Sequence, residues 1–458
     1  MPTRTAVIGA GVSGLSAALE RRARGDEVLV FERSDGPGGV MRTRRSDGYL
    51  FEDGPNSIPG GATSFLDLCA ELGLGGAVIP CAAAATRRCF VRRGRWVAAP
   101  STPGAFLLSP LLGLRDKLRV LREPKAPQRA SAPGADEETV YAFVARRFGR
   151  GAAETLLDAI TAGVNGGDPR TLGVESAFPE LAAMEREHGS VFRALRAKAA
   201  ARRARGEAKP PAVVTLRDGL GALADAAAAR LGDGFRRSTR VVAVRRGADG
   251  GYDLAVEGPR GAERVRVDRV VAATPPAETA ALLAALSPAA SARLAATTSA
   301  SMAVVQLGFD GADLPGLRPS FGALVPRAEG LRTLGWLLPS CVFPGRAPAG
   351  GVAVCAYLGG AFDPAAVEAD DDALVETATR ELATTLRLPR APRAATRRVV
   401  RRPHALPLPT PGHATRMAEA VAALRRDAPG VAFVGNVLAG SAVPKCIASA
   451  KAAAAALG

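Results

Sequence analysis

Residues 5–14 read TAVIGAGVSG, and this stretch decides the fold of the chain. Its first four residues predict a short buried strand, and the G-x-G-x-x-G pattern of residues 9–14 follows without a break. An apolar helix to about Arg24 and a second strand, VLVF at residues 28–31, complete a βαβ unit that ends at Glu32. The unit predicts an α/β protein with a Rossmann-like domain of parallel strands.

Each glycine of this pattern has a physical role in binding a dinucleotide. Gly9 permits the tight turn, Gly11 lets a pyrophosphate approach the backbone, and Gly14 lets the helix pack close to the strand. The N–H groups at the helix N-terminus can then bind the phosphates. Glu32 ends the second strand, where a carboxylate accepts ribose hydroxyls and disfavours the 2′-phosphate of NADP. A glycine-rich turn with a solvated Glu32 is the alternative.

A second glycine-rich segment favours FAD over NAD. Residues 38–43 read GGVMRT and residues 48–57 read GYLFEDGPNS. Glycines here let backbone amides wrap a flavin and its ribityl chain, although an ordinary glycine-rich loop has the same composition. No second dinucleotide motif occurs, so a pyridine nucleotide as reductant is unsupported. We therefore expect oxygen or another external acceptor.

Composition excludes several classes of protein. The chain has 458 residues, 47% of them hydrophobic and 23% charged, as in folded soluble proteins of two or three domains. No apolar run reaches the roughly 20 residues that span a bilayer, and no secretory signal is evident. The six cysteines and three histidines form no metal-binding spacing, so we expect neither a metal site nor a disulfide framework.

The formal charge of +16 has two explanations. Only six of the 60 cations are lysines, which indicates a bias toward arginine. The alternative is an anionic partner, because cations outnumber acids 14 to 5 in residues 87–150 and seven to one in residues 193–209. Residues 103–121 add leucines, so we expect the stretch 87–121 to rest on anionic lipid, with a solvated basic face as the alternative. Nucleic-acid binding is not expected, because no recognised reading motif occurs.

Periodicity predicts further elements along the chain. Helices are expected at residues 138–148, 152–162, 191–205, 220–231 and 371–387, and from about residue 444. Strands are expected at residues 240–245, 252–256, 263–267, 269–273, 301–309, 352–358 and 431–434.

Several segments then give the sequence a specific resemblance. They are FP with MEREH (residues 178–188), AVVQLGF (residues 303–309) and FGALVP (residues 321–326), together with residues 32–57. In order and over nearly the whole chain, they resemble the oxygen-dependent protoporphyrinogen oxidases, FAD flavoproteins related to the amine oxidases. The resemblance implies a Rossmann-like FAD-binding domain, a substrate domain on a mixed sheet and an α-helical membrane-binding domain.

The resemblance also implies domain bounds and cofactor contacts. The FAD-binding domain would comprise residues 1–80, 210–277 and 400–458, the substrate-binding domain residues 81–88, 179–209 and 278–399, and the membrane-binding domain residues 89–178. The implied FAD contacts are Gly9, Ala10, Gly11, Val12, Ser13, Gly14, Glu32, Arg33, Gly39, Val40, Gly54, Pro55, Asn56, Ser57, Val241, Gly435, Ser441, Ala442 and Val443.

Five residues match substrate-site positions of the family. Arg88 matches an arginine that holds a propionate, and a guanidinium suits a carboxylate, but four other arginines crowd residues 87–95. Leu324, Leu337 and Tyr357 match positions that sandwich the tetrapyrrole rings, with plain core packing as the alternative. Gly163 matches a catalytic position whose backbone carbonyl faces the reacting methylene carbon, with an ordinary loop as the alternative.

The expected activity is oxidation of protoporphyrinogen IX to protoporphyrin IX by O2, giving H2O2, in heme biosynthesis. Coproporphyrinogen III, or another substrate of the amine-oxidase-like enzymes, is the enzyme alternative. A degraded flavin-binding scaffold is the non-enzyme alternative. The expected location is cytoplasmic, peripheral on the inner membrane, and a homodimer is left open.

Three departures from the family pattern bear on the flavin. Residues 408–409 read Leu-Pro where the family usually has Gln-Tyr, and Arg402 stands where an aromatic residue is often found. Residues 444–445 read Pro-Lys in place of Asn-Asp, so one N–H donor is lost. We expect these changes to affect flavin affinity and turnover, not the fold.

Overall fold

The computed structural model describes residues 2–129, 136–248 and 250–457. The strands are β1 Arg4–Ile8, β2 Glu27–Phe31, β3 Thr43–Ser46, β4 Tyr49–Glu52, β5 Ile58–Pro59, β6 Val78–Pro80, β7 Arg88–Arg92, β8 Arg95–Ala98, β9 Val213–Leu216, β10 Phe235–Arg236, β11 Arg240–Arg246, β12 Tyr252–Gly258, β13 Gly261–Val267, β14 Arg269–Ala272, β15 Ser299–Asp310, β16 Gly322–Leu324, β17 Gly335–Leu337, β18 Gly351–Gly359, β19 Thr396–Pro407 and β20 Val431–Phe433. The α-helices are α1 Val12–Ala23, α2 Thr63–Glu71, α3 Pro103–Leu108, α4 Leu114–Leu121, α5 Val140–Phe148, α6 Arg150–Ala152, α7 Asp158–Asn165, α8 Val174–Ala177, α9 Pro179–His188, α10 Val191–Ala204, α11 Gly221–Leu231, α12 Pro276–Leu283, α13 Pro288–Ala295, α14 Pro339–Val342, α15 Asp371–Leu386, α16 His413–Asp427, α17 Asn436–Ala439 and α18 Val443–Ala455. A π-helix, Ala153–Leu157, joins α6 to α7.

A five-stranded sheet has the order β10–β2–β1–β14–β20, and all of its pairs are parallel. Ala6 of β1 lies opposite Leu29 on one side and Val270 on the other. The strands come from the start, the middle and the end of the chain. Parallel strands are buried on both faces, which explains their apolar composition. The predicted βαβ unit and α/β class are confirmed.

Alternate residues of β1 pack into two separate cores. Val7 packs with helices α1, α11 and α18. Ala6 and Ile8 pack with the three-stranded sheet β11–β12–β13 and with helices α12, α13 and α16. This alternation is the period of two that strand geometry dictates. The parallel sheet is therefore the middle layer of the cofactor end of the molecule.

A mixed seven-stranded sheet has the order β19–β15–β18–β17–β16–β7–β8. Its pairs are antiparallel except β16 with β7. Helix α15 covers one face, where Leu374 and Leu382 pack against Trp336 and Leu358. Strands β7 and β8 extend this sheet, whereas the predicted domain boundary falls at residue 88; the domain bounds stay a prediction.

Helices α3 to α10 form a helical region held by a buried ion network. The Arg147 guanidinium donates from Nε to Glu123 Oε1 at 2.7 Å and also pairs with Glu185. Glu123 additionally accepts from the Ser190 hydroxyl and from the Val191 N–H. Such a network is stable only when its charges are paired and hydrogen-bonded, as they are here. Within the described ranges, every helix is too short or too polar to cross a membrane.

Candidate functional site

The turn between β1 and α1 has the geometry that the glycine pattern predicts. Gly9 has φ +100°, a conformation that favours glycine, and its N–H donates to Phe31 O at 2.8 Å. A Cβ on Gly14 would lie 1.9 Å from Gly9 O, so the helix could not approach the strand with any side chain there. A Cβ on Gly11 would meet no atom within 4 Å. The turn therefore leaves no space for a side chain at Gly14 but leaves free space beside Gly11.

Two parallel helices begin beside this opening. The first turn of α18 contacts that of α1, where Ser13 hydrogen-bonds the Cys446 thiol. Near the other ends, Arg21 Nη1 donates to Ala454 O at 3.1 Å and to Leu457 O at 2.7 Å. Neither helix has a side-chain N-cap hydrogen bond. Both positive helix ends therefore lie on one side, which suits a pyrophosphate.

Glu32 is buried beside the turn. Its Oε2 accepts from Ala10 N–H at 2.8 Å, and its Oε1 accepts from Ser34 N–H at 2.8 Å and from the Ser34 hydroxyl at 2.6 Å. A carboxylate has about four acceptor positions, so capacity for ribose hydroxyls remains. The neighbouring Arg33 instead forms an exposed ion pair with Glu278 at 2.5 Å, and its predicted role in FAD binding stays a prediction.

The second glycine segment continues the opening into a groove, which we call the cofactor groove and define by Gly11, Val40 and Gly54. A Cβ on Gly39 would lie 3.3 Å from Gly11 Cα, and one on Gly54 would lie 2.5 Å from Val40 O. The Val40 side chain is 47% exposed although it is apolar. Glycine backbone and an uncovered apolar side chain fit a flat flavin cofactor, so the residues present fit FAD.

The groove leads to the seven-stranded sheet through residues 52–56. Gln306 Nε2 donates to Glu52 O at 2.8 Å. Asn56 Nδ2 donates to the Tyr357 hydroxyl at 3.0 Å and to Gly54 O at 3.1 Å. A predicted cofactor residue and a predicted substrate residue are thus in direct contact.

The four predicted substrate residues share one face of that sheet, which we call the substrate face. Leu324 lies opposite Gly335, and Gly335 lies opposite Tyr357, so their side chains point the same way. Leu337 lies two positions beyond Gly335 on the same strand, and Arg88 lies opposite Gly322 in register with it. Gly335 lies between Leu324 and Tyr357, and a Cβ there would be 3.3 Å from Leu324 Cδ2.

Gly163 lies on α7 and packs against the substrate face. A Cβ at Gly163 would lie 2.4 Å from Leu324 Cδ2. The next residue, Val164, is 61% exposed. The preceding π-helix widens one turn, and such turns are frequent at functional sites. The structure therefore brings together the predicted catalytic residue and a predicted ring contact.

Arg88 is exposed at the start of β7, at one end of the substrate face. Its guanidinium lies over the Phe321 ring, 5.0 Å from the centroid. In the part of the chain that the structure describes, it forms no salt bridge. A guanidinium without a carboxylate partner can hold a propionate in bidentate fashion.

The remaining predicted cofactor residues fall in two places. Thr239 N–H donates to Glu32 O at 2.7 Å, which brings the start of β11, and hence Val241, to the ribose end. Val241 itself is buried beside a bulge. The others lie around the start of α17 and α18: Gly435, Ser441, Ala442 and Val443. Lys445 forms an ion pair with Glu180 at 3.0 Å.

Burial shifts the pKa of three titratable groups toward their neutral forms. Burial raises the pKa of the Tyr357 hydroxyl, and burial likewise raises the pKa of Glu52. Burial lowers the pKa of His413, whose Nε2 lies 2.8 Å from Val437 O. Over the described residues no cluster suited to a metal ion occurs. The site offers binding and orientation rather than side-chain acid–base catalysis.

Periodicity and resemblance missed one group of residues. Asp53, directly before the cofactor-groove residue Gly54, forms ion pairs with both Arg398 and Arg402 of β19. The only signal in the sequence was the unusual arginine at position 402. These pairs join residues far apart in the chain, which no local pattern reveals.

The chain resembles characterised flavoproteins along its full length. The family description "Flavin containing amine oxidoreductase" matches residues 12–458. The chain is 31% identical to the chloroplastic protoporphyrinogen oxidase of Nicotiana tabacum, over 96% of this chain and 83% of that protein. It is 29% identical to the coproporphyrinogen III oxidase of Propionibacterium freudenreichii subsp. freudenreichii, over 97% and 89%.

Solved structures show the same fold. The cyclohexylamine oxidase of Brevibacterium oxydans IH-35A superposes with a TM-score of 0.72 at 18% identity, over 100% of this chain and 99% of that one. A protein of Exiguobacterium sp. 255-15, named for an assumed protoporphyrinogen oxidase activity, superposes with a TM-score of 0.83 at 22% identity, over 99% and 98%.

Proposed function

This chain belongs to the flavin-containing amine oxidoreductase family, and we propose that it oxidises a porphyrinogen to the corresponding porphyrin with O2 as the acceptor. The predicted kinship with the protoporphyrinogen oxidases is confirmed, and the chain is an FAD-dependent oxidoreductase. The observation that carries the proposal is the substrate face. An exposed arginine, two leucines and a tyrosine share it, and it meets the cofactor groove through Asn56.

The chain's own residues bind and orient the substrate. Arg88 holds a propionate at the open end, while Leu324, Leu337 and Tyr357 contact the ring faces and exclude water. The Asn56 amide fixes the Tyr357 hydroxyl and so fixes the ring beside the cofactor groove. Gly163, with no side chain, lets the α7 backbone approach the reacting carbon. When bound, FAD supplies the hydride acceptor for a methylene-bridge C–H bond, with a pyrrole N–H proton lost to solvent.

The overall reaction balances over three such rounds. One porphyrinogen and three O2 give one porphyrin and three H2O2, because each round removes a hydride and a proton from the substrate. Burial raises the pKa of the Tyr357 hydroxyl, so this side chain does not act as the base. Orientation and exclusion of water are therefore what the protein contributes to the rate.

The substrate face favours a substrate with few carboxylates. Apart from Arg88, its cations Arg398 and Arg402 both contact Asp53 at the buried junction with the cofactor groove, so Arg88 is the arginine at its open end. We therefore propose protoporphyrinogen IX, with two propionates, over coproporphyrinogen III, with four. The similarity to a coproporphyrinogen III oxidase makes the second substrate the runner-up.

A single assay tests both parts of this proposal. Purified protein is incubated in air with porphyrinogens of two and of four carboxylates, and porphyrin fluorescence and H2O2 are followed. We expect a yellow protein that oxidises both, with the higher kcat/KM for protoporphyrinogen IX. A higher value for coproporphyrinogen III reverses the substrate assignment. A protein that stays colourless after addition of FAD, or a yellow one inactive on both, overturns the proposal.

We also propose that the enzyme rests on the anionic inner face of the cytoplasmic membrane. Five leucines of α3 and α4 are between about half and nine-tenths exposed: Leu107, Leu108, Leu114, Leu118 and Leu121. The last three are four and three residues apart and share one face of α4. Lys117 Nζ donates to Leu107 O at 2.7 Å and holds α3 against α4. The neighbouring helix α10 supplies arginines suited to lipid phosphates.

Vesicle binding tests the membrane proposal. Leu108→Ser with Leu114→Ser should abolish cosedimentation with phosphatidylglycerol vesicles, because the most exposed apolar surface is lost. The control is Val242→Ser, which removes an apolar side chain that is 40% exposed on β11, outside α3 and α4. FAD content should stay unchanged in all variants. Equal binding by the double variant and the wild type contradicts the proposal.

A further inference from the structure

Asp53 lies between two arginines at the junction of the cofactor groove and the substrate face. Its side chain is almost fully buried. Arg398 binds it through both terminal nitrogens, with Nη2 at 3.3 Å from Oδ2, and also donates to Gln306 Oε1 at 3.1 Å. This two-pronged contact already balances the charge of the Asp53 carboxylate.

Arg402 is the second cation on this single carboxylate. Its Nη2 lies 3.4 Å from Asp53 Oδ2, and its Nε donates to Asp53 O, also at 3.4 Å. Both contacts are long for charged groups. Burial lowers the pKa of the Arg402 guanidinium; Asp53 opposes this shift, and the nearby Arg398, Arg42 and Arg44 add to it. Two guanidinium groups therefore share one carboxylate at this junction.

The position of Arg402 points to the flavin ring system rather than to solvent. Its strand neighbour Val400 lies level with Val304, which is paired with Tyr357, so Arg402 is on the substrate face. Its contact with Asp53 O places it next to Gly54 of the cofactor groove. A flavin that takes hydride from a substrate on this face has to lie between the groove and the face, which is where Arg402 stands.

We propose that the Arg402 guanidinium stabilises the negative charge that the flavin ring system gains on reduction. A partly buried cation interacts with a nearby charge more strongly than an exposed one, because the medium screens it less than water does. The family that the sequence resembles often has an aromatic residue here, so this chain would hold its flavin at a higher reduction potential than an aromatic would give. The inference rests on FAD binding and not on the identity of the substrate.

Sulfite binding to the purified, FAD-loaded protein tests the proposal without any porphyrinogen. Sulfite adds its lone pair to the oxidised flavin at N5 and leaves a negative charge on the ring, as reduction does. Arg402→Gln should raise the sulfite dissociation constant about tenfold or more, and should lower the midpoint potential of the flavin. The flavin spectrum shows whether FAD is retained.

The matched control is Arg397→Gln. Arg397 is on the same strand but on the opposite face, half exposed, and paired with Asp372 at 2.8 Å. This variant loses the same charge at a distance from the groove, so its sulfite affinity should stay within about twofold of the wild type. Arg402→Lys keeps the positive charge, so its sulfite affinity should stay within about threefold of the wild-type value.

Each result decides the proposal. The proposal is overturned when Arg402→Gln binds sulfite as tightly as the wild type does. It is also overturned when the sulfite affinity of Arg402→Lys or of Arg397→Gln falls as far as that of Arg402→Gln. A rise in the KM for porphyrinogens with unchanged sulfite binding also overturns it, since Arg402 would then hold a substrate carboxylate. If Arg402→Gln loses FAD, Arg402→Trp takes its place as the uncharged variant. Inactivity toward porphyrinogens leaves these readouts intact, so failure of the proposed function is seen separately.

Discussion

At the cofactor groove, residues 5–32 present backbone: a turn that only glycine can make, helix N–H groups and a carboxylate fixed by main-chain donors. The substrate face instead presents side chains, and they come from strands that begin at residue 88 and end at residue 359. The first site is local in sequence, and a side chain at Gly14 would clash with its backbone. The second is assembled from distant segments and can change its side chains without changing its strands.

The difference teaches that cofactor binding and substrate binding can be altered separately. Changes in the groove act on FAD content and on the fold, because backbone atoms touch there. Changes to Arg88 and to the ring contacts Leu324, Leu337 and Tyr357 act mainly on substrate binding, because the strands keep their hydrogen bonds whatever these side chains are.

The largest effect should come from Gly14→Ala. Its Cβ would lie 1.9 Å from Gly9 O, so helix and strand must separate. We expect loss of FAD and a fall of about 3 kcal/mol in the free energy of unfolding of the FAD-free protein. Absorbance near 450 nm and urea unfolding measure the two quantities.

Gly11→Ala is the matched control for that variant. No atom lies within 4 Å of its Cβ, so the free energy of unfolding should change by less than about 1 kcal/mol. FAD affinity should nevertheless fall, because the methyl group occupies the phosphate position. Full FAD affinity in Gly11→Ala would place the cofactor elsewhere, and a normal Gly14→Ala protein would refute the close packing.

An intermediate effect is expected from Arg88→Ala. Loss of a charged contact to a propionate should raise the KM for the porphyrinogen about tenfold or more, with FAD content unchanged. Arg95→Ala is the control, because Arg95 is an exposed arginine on the adjacent strand β8. Steady-state kinetics decide the matter: equal KM values for the two variants remove Arg88 from the substrate site.

The smallest effect is expected from Tyr357→Phe, which removes the hydroxyl bonded to Asn56. We expect kcat/KM to fall about threefold to tenfold, the value of one neutral hydrogen bond. Because burial raises the pKa of this hydroxyl, it stays protonated in neutral and mildly alkaline solution. The pH profile should therefore keep its shape, and a lost ionisation in the variant would contradict the neutral assignment.

Tyr49→Phe is the control for that experiment. The Tyr49 hydroxyl is also buried and donates to Phe309 O at 2.9 Å, away from Asn56. Its loss should lower the melting temperature and leave kcat/KM unchanged.

The sequence alone predicts the parts of this molecule that depend on short-range interactions. The βαβ unit can be predicted because its glycines, its helix and Glu32 lie within about 30 residues of one another, and each has a physical role in binding a dinucleotide. The long strands β15 and β18 can be predicted from their apolar composition. Their partner strands in the sheet cannot be predicted, because pairing between distant strands leaves no local pattern.

The candidate site divides in the same way. The substrate residues came from resemblance, and only the structure shows that Arg88, Leu324 and Tyr357 share a face. The contact between Gly163 and Leu324 depends on how α7 packs, which the preceding π-helix alters. The two arginines on Asp53 could not be paired from sequence because 345 residues separate Arg398 from it.

The order of the parallel sheet has a consequence for biosynthesis. The strand β20 and the helix α18 are translated after the other strands of the sheet, yet β20 closes the edge beside β14 and α18 lies along α1. The groove cannot be complete until they emerge, so a nascent or truncated chain ending before Val431 should not retain FAD. Since a ligand stabilises only the state that binds it, added FAD should stabilise chains that contain β20 and α18 and not chains that lack them.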